Sequence, residues 1–307
     1  MHTEQLSPRY ADIDLWPPAD VLDAMIEGQL SSVAAVRGAR SAIEQAALAI
    51  EARLRKQGRL IYVGAGTSGR LAVQDGAELM PTFSWPAERL LLLLAGGDAA
   101  MTQAIEGAED DIARATELIA EHDIGRDDVL IGVAASGTTP FTLTCLLEAG
   151  RRGALTVGIA NNPDTPLLTG ADHPIYLATG PEPIAGSTRM NAGTAQRITL
   201  NLLSTLVMIR LGRIYRGMMV EVQACNAKLA LRRERMVAHL TGQSEEPVRE
   251  ALRQADGSVK LAVLLLQGYQ LSEAQSALDG VGGRLRAALD HLAKRGAPNL
   301  EVAKSDG

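Results

Sequence analysis

Cysteine is scarce. Cys145 and Cys225 are the whole complement, so no disulfide framework holds this chain together. The histidines (His2, His122, His173, His239 and His291) are scattered, and none sits at zinc-site spacing from a cysteine. Aromatic residues make up 3% of the chain, too few for a base-stacking platform. Basic residues number 30 against 36 acidic ones, a net charge of −6, which excludes the basic stripe of a general nucleic-acid binder. The longest apolar run, near 90–95, is far below the roughly 20 residues that span a bilayer. The first sixteen residues carry Glu4, Asp12 and Asp14 and no apolar stretch, unlike a signal peptide. What remains is an ordinary globular composition, 46% hydrophobic and 21% charged. The expectation is a soluble, cytoplasmic protein; 307 residues suffice for a large core and about two domains.

The pattern of apolar residues changes along the chain. From about Pro18 to Lys56 they recur at helical spacing, first through Val21, Leu22, Met25, Ile26, Leu30, Val33 and Val36 and then through Ile43, Ala46, Leu48, Ile50 and Leu54. Lys56-Gln57-Gly58 supplies a cation and a glycine stop. Short continuous apolar runs follow at 59–63, 90–94, 129–133 and 155–159, with a shorter one at 175–177. Helical patterns separate most of them, which predicts a parallel sheet covered on both faces. A long helix is expected over 191–211. Short helices at 246–255, 258–267, 272–278 and 281–293 are punctuated by Gly257, Gly268 and Gly280, and a loose tail follows Arg295. The expected class is α/β: a three-layer parallel sheet of about five strands. The expected segments are N-terminal helices at 1–57, the sheet domain at 58–240 and a small helical appendage at 241–307.

The chemistry is expected in the loops that end the strands, where ligands bind in open α/β sheets. Gly64-Ala-Gly-Thr-Ser-Gly69 fits the dinucleotide pattern G-x-G-x-x-G. The acid such a site needs about 20 residues on is missing, since Asp98 is 98 − 64 = 34 positions away. Gly66 with the hydroxyls of Thr67 and Ser68, beside free helix N–H groups, suits a single phosphate instead. The loop Ala135-Ser-Gly-Thr-Thr-Pro140 offers Ser136, Gly137, Thr138 and Thr139 in the same way, and Gly186-Ser-Thr-Arg-Met190 offers Ser187 and Thr188 beside Arg189. Alone, the first loop reads equally well as a tight strand-to-helix turn, and the other two read as helix N-caps. Three at one sheet edge point to a sugar phosphate. Glu78, Glu106 and Glu182 lie near that edge in the sequence, and spacing alone does not single them out from the other acids.

With these residues in place the chain resembles the N-acetylmuramic acid 6-phosphate etherases, within the sugar-isomerase (SIS) superfamily of flavodoxin-like folds. The resemblance is carried by 58–71, Glu78 with 81–83, 95–97, 105–111, 134–137, 186–189, 192–196, 200–205 and 226–229, in family order. It implies a homodimeric carbon–oxygen lyase that needs no cofactor or metal and has no nucleic-acid or membrane partner. Its role would be in recycling bacterial cell-wall amino sugars. It would release D-lactate from the 6-phosphorylated sugar and leave N-acetylglucosamine 6-phosphate. Glu78 and Glu106 match the family's two catalytic acids, with Glu78 expected to protonate the leaving lactate and Glu106 to take the C2 proton. Burial or mutual repulsion is expected to separate their pKa values. Thr67, Ser68, Ser136, and Thr138 or Thr139 are expected to hold the phosphate, and Ser187, Thr188 and Asn226 to line the sugar. The chain departs from the family pattern at Thr138, where an arginine is usual, and at Gly76, Leu79 and Met80. Asn191 and Arg197 stand where lysines are frequent, and of an N-terminal Thr-Glu-x-Arg-Asn signature only Thr3-Glu4 survives.

Two other functions use the same residues. A sugar-phosphate isomerase would employ Glu182 or another acid at C2 and release no lactate. A sugar-phosphate sensor would need the hydroxyl loops but not a pair of acids.

Overall fold

The computed structural model describes residues 1–222 and 227–295. Short 3₁₀ turns at 2–4, 8–10 and 13–15 precede helices α1 (Pro18–Gly38) and α2 (Arg40–Leu54). Then come β1 (Leu60–Gly64), α3 (Gly66–Ala77), α4 (Leu79–Phe83), β2 (Leu90–Leu94), α5 (Ile112–Glu121) and β3 (Val129–Val133). They are followed by α6 (Pro140–Arg151), β4 (Leu155–Ala160), α7 (Pro166–Thr169), β5 (His173–Tyr176) and α8 (Asn191–Arg210). A hairpin of β6 (Ile214–Tyr215) and β7 (Met218–Met219) leads to α9 (Ala227–Thr241), α10 (Glu245–Gln254), α11 (Val259–Leu266), α12 (Leu271–Gly280) and α13 (Leu285–Arg295). The five expected strands are present within a residue or two, as are the four short helices of the C-terminal region. Helix α9 and the β6–β7 hairpin were not foreseen. The tail beyond Arg295 lies outside the described residues, as do Cys225 and Asn226.

The sheet is wholly parallel, in the order β2-β1-β3-β4-β5. Its strands are continuous apolar runs because both faces are covered. Ile61, Val63, Leu93 and Leu130 pack with Phe141, Cys145 and Leu146 of α6 and Ala115 and Ile119 of α5. The alternate residues face the other layer, where Tyr62 meets α3 through Asp75. From β1 the chain passes to β2 on one side and then to β3 on the other. The reversal of strand order lies between β1 and β3, so the loops leaving these strands flank the crevice in which such sheets bind ligands.

The chain divides into two compact units. One is Met1–Glu78 with Pro86–Val207, which holds the sheet and both N-terminal helices. The other joins Leu79–Trp85 to the chain from Met208 onward. In the second unit Arg213 donates to the carbonyls of Phe83 and Ser84 and stacks on Trp85. Ser84 donates to the carbonyl of Glu221, whose carboxylate pairs with the buried Lys260. Burial lowers the Lys260 pKa, and Glu221 opposes that shift. Among the described residues no helix is long and apolar enough to cross a membrane.

Helix α1 forms where its periodicity predicts, but the apolar stripe turns outward. Leu22, Ile26, Leu30 and Val33 are between 51% and 65% exposed, whereas the inward face is Ala24, Gly28, Ser32 and Val36. Small residues are what the close neighbours permit: a Cβ at Gly28 would lie 2.8 Å from Asn191 Oδ1.

The glycines of the first loop serve packing. A Cβ on Gly69 would come within 2.6 Å of the carbonyl of Gly64, and one on Gly64 within 2.6 Å of the Gly69 Cα. Gly66 has φ of +53° but open space around it. Gly69→Ala is therefore expected to destabilise the fold by about 3 kcal/mol through overpacking against backbone. Gly66→Ala should cost about 1 kcal/mol, the left-handed conformation alone. Urea unfolding of the two variants checks the order.

Candidate functional site

The three hydroxyl loops gather at one edge of the sheet. Thr67 and Ser68 lie in the first turn of α3, whose N-cap Ala65 makes no side-chain cap. Ser136 accepts the Thr138 N–H at 3.2 Å and lies 3.3 Å from the Thr139 hydroxyl, while α6 begins at Pro140 without a side-chain cap from Thr139. Gly137 is obligatory, with φ of +70° and Thr165 Oγ1 2.1 Å from where its Cβ would stand. Gly193, in the first turn of α8, brings the third loop to the first: its Cβ position lies 3.6 Å from Thr67 Cγ2 and 3.3 Å from the Thr188 carbonyl. Thr67, Ser68, Thr138, Ser187 and Thr188 direct no side-chain hydrogen bond to any described residue. N-capping thus does not account for them, and hydroxyls beside helix N-termini without a partner among the described residues suit an anion.

A buried polar spine fixes these loops, and residue patterns alone did not reveal it. Asn161 donates to the Leu177 carbonyl and to Thr179, and accepts from Gln196 of α8 at 2.9 Å. Asn162 donates to the Ala135 carbonyl and to Thr3, and accepts from the Thr3 backbone N–H. The available signal was the Asn161-Asn162 pair at the end of an apolar strand.

The two expected acids are not together in one chain. Glu106 stands beyond the end of β2, in a cavity of about 810 Å³ lined by Gly96, Gly97, Arg114, His122 and Phe141. Arg70, in the α3 turn that carries Thr67 and Ser68, donates to the carbonyls of Ala100 and Gln103 and so ties this segment to the first loop. Glu78 lies just after the last residue of α3. At about 1.5 Å per residue, its position ten and eleven residues on from Ser68 and Thr67 puts it about 16 Å along the helix from the hydroxyl turn. It lines a separate cavity of about 260 Å³ with Asp75, Arg197, Asn201 and Leu202. Both glutamates are exposed in the single chain. Beside Glu78, Asp75 accepts from Tyr62 at 2.9 Å and from Ser204 at 3.2 Å. Burial raises the Asp75 pKa, its hydrogen-bond donors oppose the rise, and Glu78 adds slightly to it. Burial also lifts the Cys145 thiol to about 12, which leaves it inert. Among the described residues no three His, Cys, Asp or Glu side chains converge as metal ligands.

Glu182 has a different task from the one an isomerase would give it. It is 1% exposed and accepts the backbone N–H groups of Asn191 and Ala192 at 2.8 and 2.9 Å, so it caps α8 in place of Ser187 or Thr188. A capping carboxylate held by two donors is not available to take a sugar proton. Burial raises its pKa from the ordinary 4.5, outweighing the two N–H donors. A carboxyl raised in the fold contributes most stability below its unfolded pKa and loses that contribution as pH rises through the folded one. The stability of the wild type relative to Glu182→Gln is therefore expected to fall as pH rises above the ordinary 4.5, as read by urea unfolding across a pH series.

Residues 42–149 match the glucokinase regulatory protein N-terminal SIS domain, and residues 110–206 match the SIS domain. The N-acetylmuramic acid 6-phosphate etherase of Deinococcus radiodurans is 50% identical over 94% of this chain and 94% of its own. Those of Streptomyces avermitilis and Edwardsiella ictaluri are 45% and 42% identical, each over 94% of this chain and over 93% and 97% of their own. The chain belongs to the N-acetylmuramic acid 6-phosphate etherase family.

Proposed function

We propose that this protein cleaves the D-lactyl ether of N-acetylmuramic acid 6-phosphate, giving N-acetylglucosamine 6-phosphate and D-lactate. The observation that carries the reading is the set of three loops whose hydroxyls cap no helix, with Arg70 of α3 bonded to Ala100 and Gln103 in the segment that leads to Glu106. The phosphate is held by Thr67, Ser68, Ser136 and the 138–139 hydroxyls, and the sugar lies toward Ser187 and Thr188. In the ring-opened sugar the C1 aldehyde acidifies the C2 proton. Glu106 removes that proton, the C3–O bond to lactate breaks, and Glu78 protonates the departing oxygen. Water then adds at C3 of the unsaturated aldehyde.

Glu78 lies about 16 Å along α3 from the phosphate turn and lines a different cavity from Glu106. The reading therefore includes a homodimer in which Glu78 acts on the sugar bound by the partner subunit. The outward stripe of α1 and the half-exposed Leu202 on the rim of the Glu78 cavity supply the apolar surface such a pairing buries. The enzyme works in the cytoplasm.

Incubation with the substrate in heavy-oxygen water is expected to yield D-lactate and a product labelled at C3; release of unlabelled product would contradict elimination and rehydration. Glu78→Gln and Glu106→Gln should each lower kcat by about 100-fold or more. Combined Ile26→Asp and Leu30→Asp should convert a sedimenting dimer to monomer while the monomer stays folded; an unchanged dimer would remove α1 from the interface.

A further inference from the structure

We propose that Glu4 is a specificity-determining residue of the sugar site, accepting a hydrogen bond from an N–H or O–H group of the amino sugar. This rests on the phosphosugar reading of the three loops. The observation is the way the first residues are fastened at the sheet edge. Thr3 is fully buried, its backbone N–H donating to Asn162 Oδ1 and its hydroxyl accepting from Asn162 Nδ2. The same Asn162 nitrogen donates to the carbonyl of Ala135, the residue before Ser136. Thr3 is thus locked beside the second hydroxyl loop.

One residue on, the Glu4 side chain reaches the third loop. Its Oε2 lies 2.9 Å from the point where a Cβ on Gly186 would stand, and Gly186 has φ of +76°. Any other residue at 186 would be strained by that φ and would displace the carboxylate from its place. Gly186 is followed directly by Ser187 and Thr188, whose hydroxyls are left free of the α8 cap by Glu182. Glu4 therefore stands between the second and third loops, on a backbone anchored by a buried residue. Its carboxylate is exposed and makes no hydrogen bond or ion pair with any described residue.

Charge settles which part of a substrate it meets. A carboxylate repels both anionic groups of the substrate, the phosphate and the lactyl carboxylate, and it cannot donate when ionised. What it can do is accept, and the amino sugar presents an amide N–H and hydroxyls as donors. The hydroxyls of the first two loops then take the anion while Glu4 orients the sugar ring atoms. Thr3 acts through Glu4 and is a positioning residue.

The test compares Glu4→Ala, Glu4→Gln and Ser136→Ala in the D-lactate release assay. Glu4→Ala is expected to raise KM about 10- to 100-fold, the range of a hydrogen bond to a charged group, with kcat within a few-fold of wild type. Glu4→Gln keeps a carbonyl acceptor and should fall between the two. Neither should shift Tm, because the side chain is exposed and unpartnered. Thr3→Val should share the KM defect, and Thr3→Ser should restore it. Binding of N-acetylglucosamine 6-phosphate and glucose 6-phosphate identifies the donor: Glu4→Ala abolishes the preference between them if it is the amide and weakens both alike if it is a hydroxyl. Wild-type KM in Glu4→Ala, with a raised KM in Ser136→Ala, would overturn the role of Glu4 alone. Wild-type KM in both would overturn the phosphosugar site itself.

Discussion

A Cβ on Gly64 would stand 2.6 Å from the Gly69 Cα, so α3 lies on β1 backbone to backbone. That contact sets the depth at which the first turn of α3, with Thr67 and Ser68, meets the sheet edge. It also sets where Arg70 reaches the segment leading to Glu106, and where Gly193 of α8 touches Thr67. Move α3 outward by the width of a methyl group and the three loops no longer share one mouth. The same straight helix carries Glu78 away from that mouth, because the ten or eleven residues from the hydroxyl turn rise by about 16 Å. One constraint thus gathers the hydroxyls and separates the acids.

The parallel sheet was legible in the sequence because strands buried on both faces must be continuous apolar runs, as 90–94 and 129–133 are. The hydroxyl loops were legible because three of them recur along the chain, although each alone could be a turn or a helix cap. Periodicity located α1 but misjudged its buried face. A stripe of Leu22, Ile26, Leu30 and Val33 looks inward to any rule that knows one chain, and it points outward here. Glu182 was invisible as a cap, since its partners lie nine and ten residues on, across a loop. The departure of Leu79–Trp85 from the sheet unit to join the helical one left no trace in composition. Thr3-Glu4 looked like the remnant of a signature, and only the Asn162 hydrogen bonds give it a place.

The electrostatics follow the same division. Glu182 and Asp75 are buried carboxyls with raised pKa, each held by hydrogen-bond donors, and they serve architecture. Glu78 and Glu106 are exposed in the single chain, each in its own cavity. In the proposed homodimer the second copy would supply the missing acid.

That shared site is the central claim, and mixing two inactive variants tests it most directly. Glu78→Gln and Glu106→Gln, unfolded together and refolded as a mixture, form heterodimers in which one site has both glutamates intact. The account predicts recovery of about a quarter of wild-type D-lactate release, from half the dimers with one good site each. A mixture no more active than its two components would contradict it and place both acids in a single chain's site.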